Sequence, residues 1–190
     1  DGKVQACERQ SKAPWGLARI SHASSSYPKT YDFDKTGKGV TAYLIDSGVF
    51  VEHPELAGRA KIGFSVIDSG EDCAGHGTEV ASALAGTNCG VAKQCNIVVA
   101  QVLDCDGSGA NADLVAALDW IVRNHQKPAV INMSVGGPRS RSIDLAVQRA
   151  IRRGISVIVA AGNSSSNACE LSPSGAQGVI CVGASNEFDE

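Results

Sequence analysis

Three polar residues stand where apolar segments begin or end, and their types suit acid-base chemistry. Asp46 closes GVTAYLID (39–46) just before Ser-Gly, His76 lies between two glycines in DCAGHGTEVASALAG (72–86), and Asn163 follows the run GISVIVAAG (154–162). A buried carboxylate that accepts from one imidazole nitrogen fixes the tautomer and leaves the other nitrogen free as a general base. An amide donor on the same rim can stabilise a developing oxyanion, an effect of about 3 to 4 kcal/mol in a preorganised site. Each residue also has an ordinary reading: Asp46 as a turn or capping residue, His76 as a structural histidine, Asn163 as a turn amide.

The segments around them decide whether the three can meet. Strand-like runs occur at 39–46, 60–66, 96–104, 129–135, 154–162 and 178–185, several of them apolar almost throughout. Continuous apolar character suits strands buried on both faces of a parallel sheet. Helical patterns fall between them at 77–86, 110–125 and 142–154, the last ended by Gly154. Alternating strands and helices predict an α/β fold with a mostly parallel sheet covered by helices. Functional groups in such sheets gather at the carboxyl ends of the strands. Those ends read Asp46-Ser47-Gly48, Asp104-Cys105-Asp106-Gly107, Ser134-Val135-Gly136-Gly137 and Ala161-Gly162-Asn163, rich in glycine and polar groups.

The chain has 190 residues, enough for one domain with a substantial core, and 43% of them are hydrophobic. A net charge of -3 gives no general attraction to nucleic acid or to an anionic membrane. Arg139, Arg141, Arg149, Arg152 and Arg153 form a local basic cluster, read as a solvated helix face. No apolar run approaches the roughly 20 residues needed to span a bilayer. DGKVQACERQ has no basic segment followed by an apolar one, so a leader or pro-segment is expected to have been removed or never present. Seven cysteines suit a secreted, disulfide-forming protein, and their odd number leaves at least one without a partner.

The ordered set LIDSGV (44–49), DCAGHGTEVA (72–81), GVAKQCNIVVAQVLDCDGSG (90–109), INMSVGG (131–137) and VIVAAGNS (157–164) resembles the subtilisin-family serine proteases, in particular the proteinase K-like branch. APWGLARIS (13–21) is similar to the start of mature enzymes of that branch. The resemblance implies a three-layer subtilisin-like sheet with helices on both faces and peptide-bond hydrolysis through an Asp-His-Ser triad. Asp46 would be the orienting carboxylate, His76 the general base and Asn163 the oxyanion donor. Ser134, Val135 and Gly136 would line one side of the primary specificity pocket, with Ala161 and Gly162 opposite. Gly107, Ser108 and Gly109 would edge an extended groove in which substrate backbone pairs with exposed strand edges. A polypeptide substrate, an inhibitory pro-segment and an extracellular location follow from the same resemblance.

The sequence departs from the pattern at the nucleophile. The family serine lies in GTSMA at the head of a buried helix, and no such string occurs here. Ser47, Ser134 and Ser164 to Ser166 stand in other contexts, and the chain stops at VGASNEFDE. Residues 1–190 therefore read as a single incomplete peptidase domain, inactive alone, with the serine beyond residue 190. Such a chain is expected to expose apolar surface or to stay bound to its missing part. The alternative is an inactive convertase-like binding scaffold, which would have no chemical need for Asp46, His76 and Asn163 together. Glu79 stands where many family members carry a second histidine. It is read as pointing to solvent; close to His76, its carboxylate would raise the histidine pKa.

The resemblance pairs Cys73 with Cys105 and assigns Cys169 and Cys181 to partners further along. Proximity alone suggests a short bridge between Cys89 and Cys95. Cys73 and His76 have zinc-like spacing, but no second close pair completes a site. Calcium is expected at most as a structural ion, with carbonyls around residues 177–180 and no carboxylate located; catalysis needs no cofactor. Gly107-Ser108-Gly109-Ala110-Asn111-Ala112 fits G-x-G-x-x-A, yet AVINMSV ends without the acidic residue that would hold a ribose.

Overall fold

The computed structural model describes residues 7–24, 27–67 and 70–190, so the first six residues of DGKVQACERQ lie outside it. In chain order the elements are β1 (Glu8–Ser11), α1 (Trp15–Ile20), β2 (Thr30–Phe33), β3 (Thr41–Asp46), β4 (Ala60–Ser65), α2 (His76–Ala85), β5 (Asn96–Gln101), α3 (Asn111–Asn124), β6 (Ala129–Met133), β7 (Gly137–Pro138), α4 (Arg141–Arg152), β8 (Ser156–Ala160), β9 (Leu171–Ser172) and β10 (Ile180–Val182). Six strands form one sheet in the order β10-β8-β6-β3-β5-β4, every pair parallel. The antiparallel pairs β1–β2 and β7–β9 stand apart from it.

β3 is central, and all six of its residues are buried, as its uninterrupted apolar run predicts. Its side chains alternate between two cores. Ala42 and Leu44 join Ile97, Val99 and the α2 residues Ala81 and Ala85; Tyr43 and Ile45 join Val98, Ala100 and the inner faces of α3 and α4. α3 buries Leu114, Ala117, Leu118 and Ile121, and α4 buries Ile143, Ala146, Val147 and Ala150, the same i, i+3, i+4, i+7 stripe in each. Each fully buried Leu or Ile contributes about 1.5 to 3 kcal/mol relative to exposure, so these stripes fix which way the helices face. Helices thus cover both faces, giving the expected three layers.

The expected strands run longer than the observed ones. The run 96–104 ends at Gln101 because Asp104 takes over the backbone: its Oδ1 accepts from Asp106 N at 3.0 Å and Ser108 N at 2.9 Å, closing a turn. Likewise β6 ends at Met133, so residues 105–107 form a turn and 134–136 a loop rather than strands. The basic cluster is solvated as expected at Arg139, Arg141, Arg152 and Arg153, and two of the five arginines also pair with carboxylates. Arg149 Nη2 pairs with Asp119 Oδ1 on α3 at 2.7 Å, and Arg139 Nε with Asp144 Oδ2 at 2.8 Å.

The junction between β3 and α2 is the tightest backbone contact near the strand ends. A Cβ at Gly77 would lie 2.1 Å from the carbonyl oxygen of Gly48, so only glycine lets the first turn of α2 rest on the loop after β3. Gly77→Ala is expected to lower stability by about 1 to 3 kcal/mol through overpacking against backbone. A denaturant midpoint equal to that of the parent protein would contradict this contact.

Candidate active site

Asp46 is the last residue of β3 and is wholly buried, at 0% exposure. Its Oδ1 accepts from the amide of Ser47 at 2.8 Å and lies 2.6 Å from Nδ1 of His76. His76 is the first residue of α2, with 47% of its side chain exposed. With Nδ1–H donated to Asp46, the neutral ring carries its lone pair on Nε2. Burial pushes the Asp46 carboxyl above its usual range, against the hydrogen bonds from His76 and Ser47. For the pair the decisive direction is that of His76, whose pKa is raised chiefly by its hydrogen bond to Asp46, burial opposing. Glu79 is exposed and makes no hydrogen bond to His76, as expected of a solvent-facing residue, yet its charge adds to the same upward shift.

Residues that the sequence reading did not single out hold His76 in place. Asp72 Oδ1 accepts from Ser47 Oγ at 2.7 Å and Gly75 N at 2.8 Å, while Oδ2 accepts from Thr78 N at 2.7 Å and from its hydroxyl. Ser47 Oγ in turn accepts from Gly77 N at 3.0 Å. Amides of the first turn of α2 are thereby satisfied by two side chains outside the helix. Burial opposes ionisation of Asp72, but the bonds from Thr78, Ser47 and Gly75 outweigh it and hold its pKa below the usual carboxylate range. Gln101, fully buried at the end of β5, donates to Ser47 O at 2.9 Å and Glu71 O at 2.8 Å. Aspartate shortly before a Gly-His-Gly helix start is the one signal that could have found Asp72; nothing local marks Gln101.

Two clefts open at the carboxyl ends of the strands. The first, about 680 Å³, is bordered by His76, by Cys105 to Gly109 on one side and by Ser134 to Pro138 on the other, with Leu103, Leu114 and Ile143 below. The second, about 570 Å³, shares the Ser134 to Pro138 wall and is closed by Ala160 to Ser164, Leu171 and Ser174. Gly107, Ser108 and Gly109 thus face Ser134, Val135 and Gly136 across one cleft, and those three face Ala161, Gly162 and Asn163 across the other. Asp46 and His76 touch; Asn163 makes no hydrogen bond to either and sits on the far side of the shared wall.

Cys73 and Cys105 form a disulfide, Cα to Cα 5.0 Å, that ties the loop before His76 to the edge of the first cleft. This removes the zinc-like pairing of Cys73 with His76. The expected bridge between Cys89 and Cys95 is not formed, because the two thiols turn to different environments. Cys89 Sγ lies 3.3 Å from both Glu55 Oε2 and Ser82 O, whereas Cys95 is packed into the α2-side core with Sγ 3.3 Å from Val40 O. Cys7, Cys169 and Cys181 are exposed thiols. Among the described residues no group of three or more His, Cys, Asp or Glu side chains is placed to hold a metal ion. No serine hydroxyl among the described residues hydrogen-bonds His76; Ser47 Oγ is engaged by Asp72 and Gly77, and Ser134 Oγ accepts from Asn132 Nδ2 at 2.9 Å.

The chain is similar to known proteins along its whole length. The whole chain is 45% identical to the Extracellular serine proteinase of Thermus sp. (strain Rt41A), covering 47% of that protein. It is 41% identical over its whole length to Alkaline serine exoprotease A of Vibrio alginolyticus, covering 36% of it. A crystal structure of a cold adapted subtilisin-like serine proteinase superposes with a TM-score of 0.90 at 42% identity, over 93% of this chain and 66% of that one. The chain spans about half the length, or less, of these curated relatives. The subtilase family, peptidase S8, matches residues 37–190, and the chain belongs to that family.

Proposed function

We propose that this chain carries the acid-base half of a secreted serine endopeptidase, within one peptidase domain whose nucleophilic serine lies beyond residue 190. The observation that carries the reading is the Asp46–His76 pair: a buried carboxylate 2.6 Å from an imidazole that borders an open cleft. The serine hydroxyl attacks the peptide carbonyl while His76 Nε2 takes its proton. Asp46 holds the ring and stabilises the imidazolium, which then protonates the leaving amine. The Asn163 amide donates to the oxyanion, and substrate backbone lies between residues 107–109 and 134–136. The names of the Thermus and Vibrio relatives support export of the protein. No step requires a metal or cofactor.

A further feature supports a serine-bearing segment from elsewhere in the protein. On the α2 face, an apolar cleft of about 550 Å³ runs between Val80 and Leu84 of α2 and Val130 and Asn132 of β6, with Ser134 just beyond the strand. α2 covers β3 and β5 on this face, and Ile180 and Val182 of the edge strand are 55% and 50% exposed. A helix packed there would cover apolar surface beside the strand ends that form the two clefts.

In the complete protein, His76→Ala is expected to cut kcat by about 10⁴-fold or more without unfolding the protein. The 190-residue chain is expected to resist a fluorophosphonate that labels the complete protein. Peptide cleavage by His76→Ala at the parental rate would refute the assignment, as would labelling of the short chain.

The base must be neutral to accept a proton, so activity rises as pH passes upward through the His76 pKa. Because that pKa is raised, the acid limb of kcat/KM should lie above the ordinary imidazole value of about 6.5. Glu79→Gln removes a negative charge that favours the imidazolium and should move the limb to lower pH with the plateau unchanged. An unmoved limb would remove Glu79 from the electrostatics of the site.

A further inference from the structure

Asp144 is a carboxylate in the first turn of α4, only 7% exposed, and remote from the Asp46–His76 pair in its bonding. Its neighbours in the helix, Ile143, Ala146 and Val147, belong to the apolar core. Removing a carboxylate from water costs several kcal/mol, offset only when its oxygens are well bonded. Here the two oxygens serve different segments. Oδ1 accepts from Ser172 Oγ at 2.7 Å and Oδ2 from Arg139 Nε at 2.8 Å.

Both partners reach further. Ser172 Oγ accepts from the amide of Ser140 at 2.9 Å, and Arg139 Nη1 donates to the carbonyl of Cys169 at 2.7 Å. Beside them runs the short ladder in which Gly137 pairs with Ser172 and Pro138 with Leu171. The segments so joined meet at the second cleft: Ser134 to Pro138 form the wall it shares with the first, and Leu171 and Ser174 help Ala160 to Ser164 close it. A two-residue ladder is weak on its own. Asp144 is the point at which the side-chain bonds across it converge.

We infer that Asp144 is a positioning residue for the substrate cleft, one that sets the distance between residues 134–138 and 171–174 and hence the size of side chain the cleft accepts. The inference rests on the endopeptidase reading of that cleft. An acidic residue at a helix start also stabilises the helix through its dipole, but that role is blind to the substrate. A clamp between two walls is not: loosening it changes discrimination between small and large side chains while the proton transfer at His76 goes on as before.

The test compares the complete parental protein with Asp144→Ala and Ser172→Ala on two peptide amides, with alanine or phenylalanine before the scissile bond. The ratio of the two KM values is expected to change by about tenfold in Asp144→Ala and by less in Ser172→Ala, with kcat and the acid limb retained. Unchanged ratios, or an equal loss on both peptides, would overturn the inference while leaving the endopeptidase reading intact. If the parental protein cleaves neither peptide, both fall. Should Asp144→Ala fail to fold by circular dichroism, Ser172→Ala decides, since it keeps the Arg139–Asp144 pair.

Discussion

The structure turns on one buried carboxylate at the end of the central strand. Asp46 has no contact with solvent, and its Oδ2 has no hydrogen-bond partner among the described residues. Leaving water costs such a group several kcal/mol, and the offset comes from the Ser47 amide and the imidazole of His76 on Oδ1. The imidazole must therefore be delivered within hydrogen-bond range from a different element. That requirement explains the crowding at the start of α2: Gly77 against Gly48, Ser47 bonded to Gly77, and Asp72 gathering the amides of Gly75 and Thr78. Stability alone would be served as well by an apolar residue at the strand end. The arrangement holds an imidazole at the edge of a cleft, as the proposed general-base role requires.

How much of this was legible in the sequence depended on range. β3 and β5 announce themselves because strands covered on both faces have to be apolar throughout, and Asp46 stands out as the first charge after such a run. The alternation of strand and helix gave the layers, and the ordered motifs placed His76 and Asn163 on the rim. What stayed hidden consists of contacts between segments far apart in the chain. Asp72 has a local cue in the helix start that follows it, but Gln101 reads as one more polar residue at the end of a strand, although its amide bridges two loops. Asp144 and Ser172, 28 residues apart, give no sign of their pairing. Sequence proximity also misled: Cys89 and Cys95 are close along the chain, yet one thiol faces Glu55 and the other the core.

Strand ends were misjudged for a related reason. An apolar run shows where burial is needed, not where pairing stops, and at 102–109 the side chain of Asp104 wins the backbone amides of Asp106 and Ser108. The result matters for function. Backbone groups that are not consumed in a ladder between protein strands remain available to an added one; residues 134–136 on one side of the first cleft lie in no such ladder, whereas 105–108 on the other side close on Asp104.

The glycines of these segments separate fold from function. At Gly109 a Cβ would lie 2.4 Å from the carbonyl oxygen of Val102, so the path of the chain itself demands glycine. At Gly136 and Gly137 a Cβ would meet nothing within 4 Å, and neither residue has the positive φ that glycine alone adopts readily. Packing and backbone conformation therefore ask for no glycine there, and glycine costs conformational entropy on folding. Both residues lie on the wall shared by the two clefts. What a side chain there would fill is the cleft, and what its absence allows is close approach of another backbone. Open space at the wall and an imidazole at the cleft edge thus both agree with the occupant proposed above, an extended polypeptide.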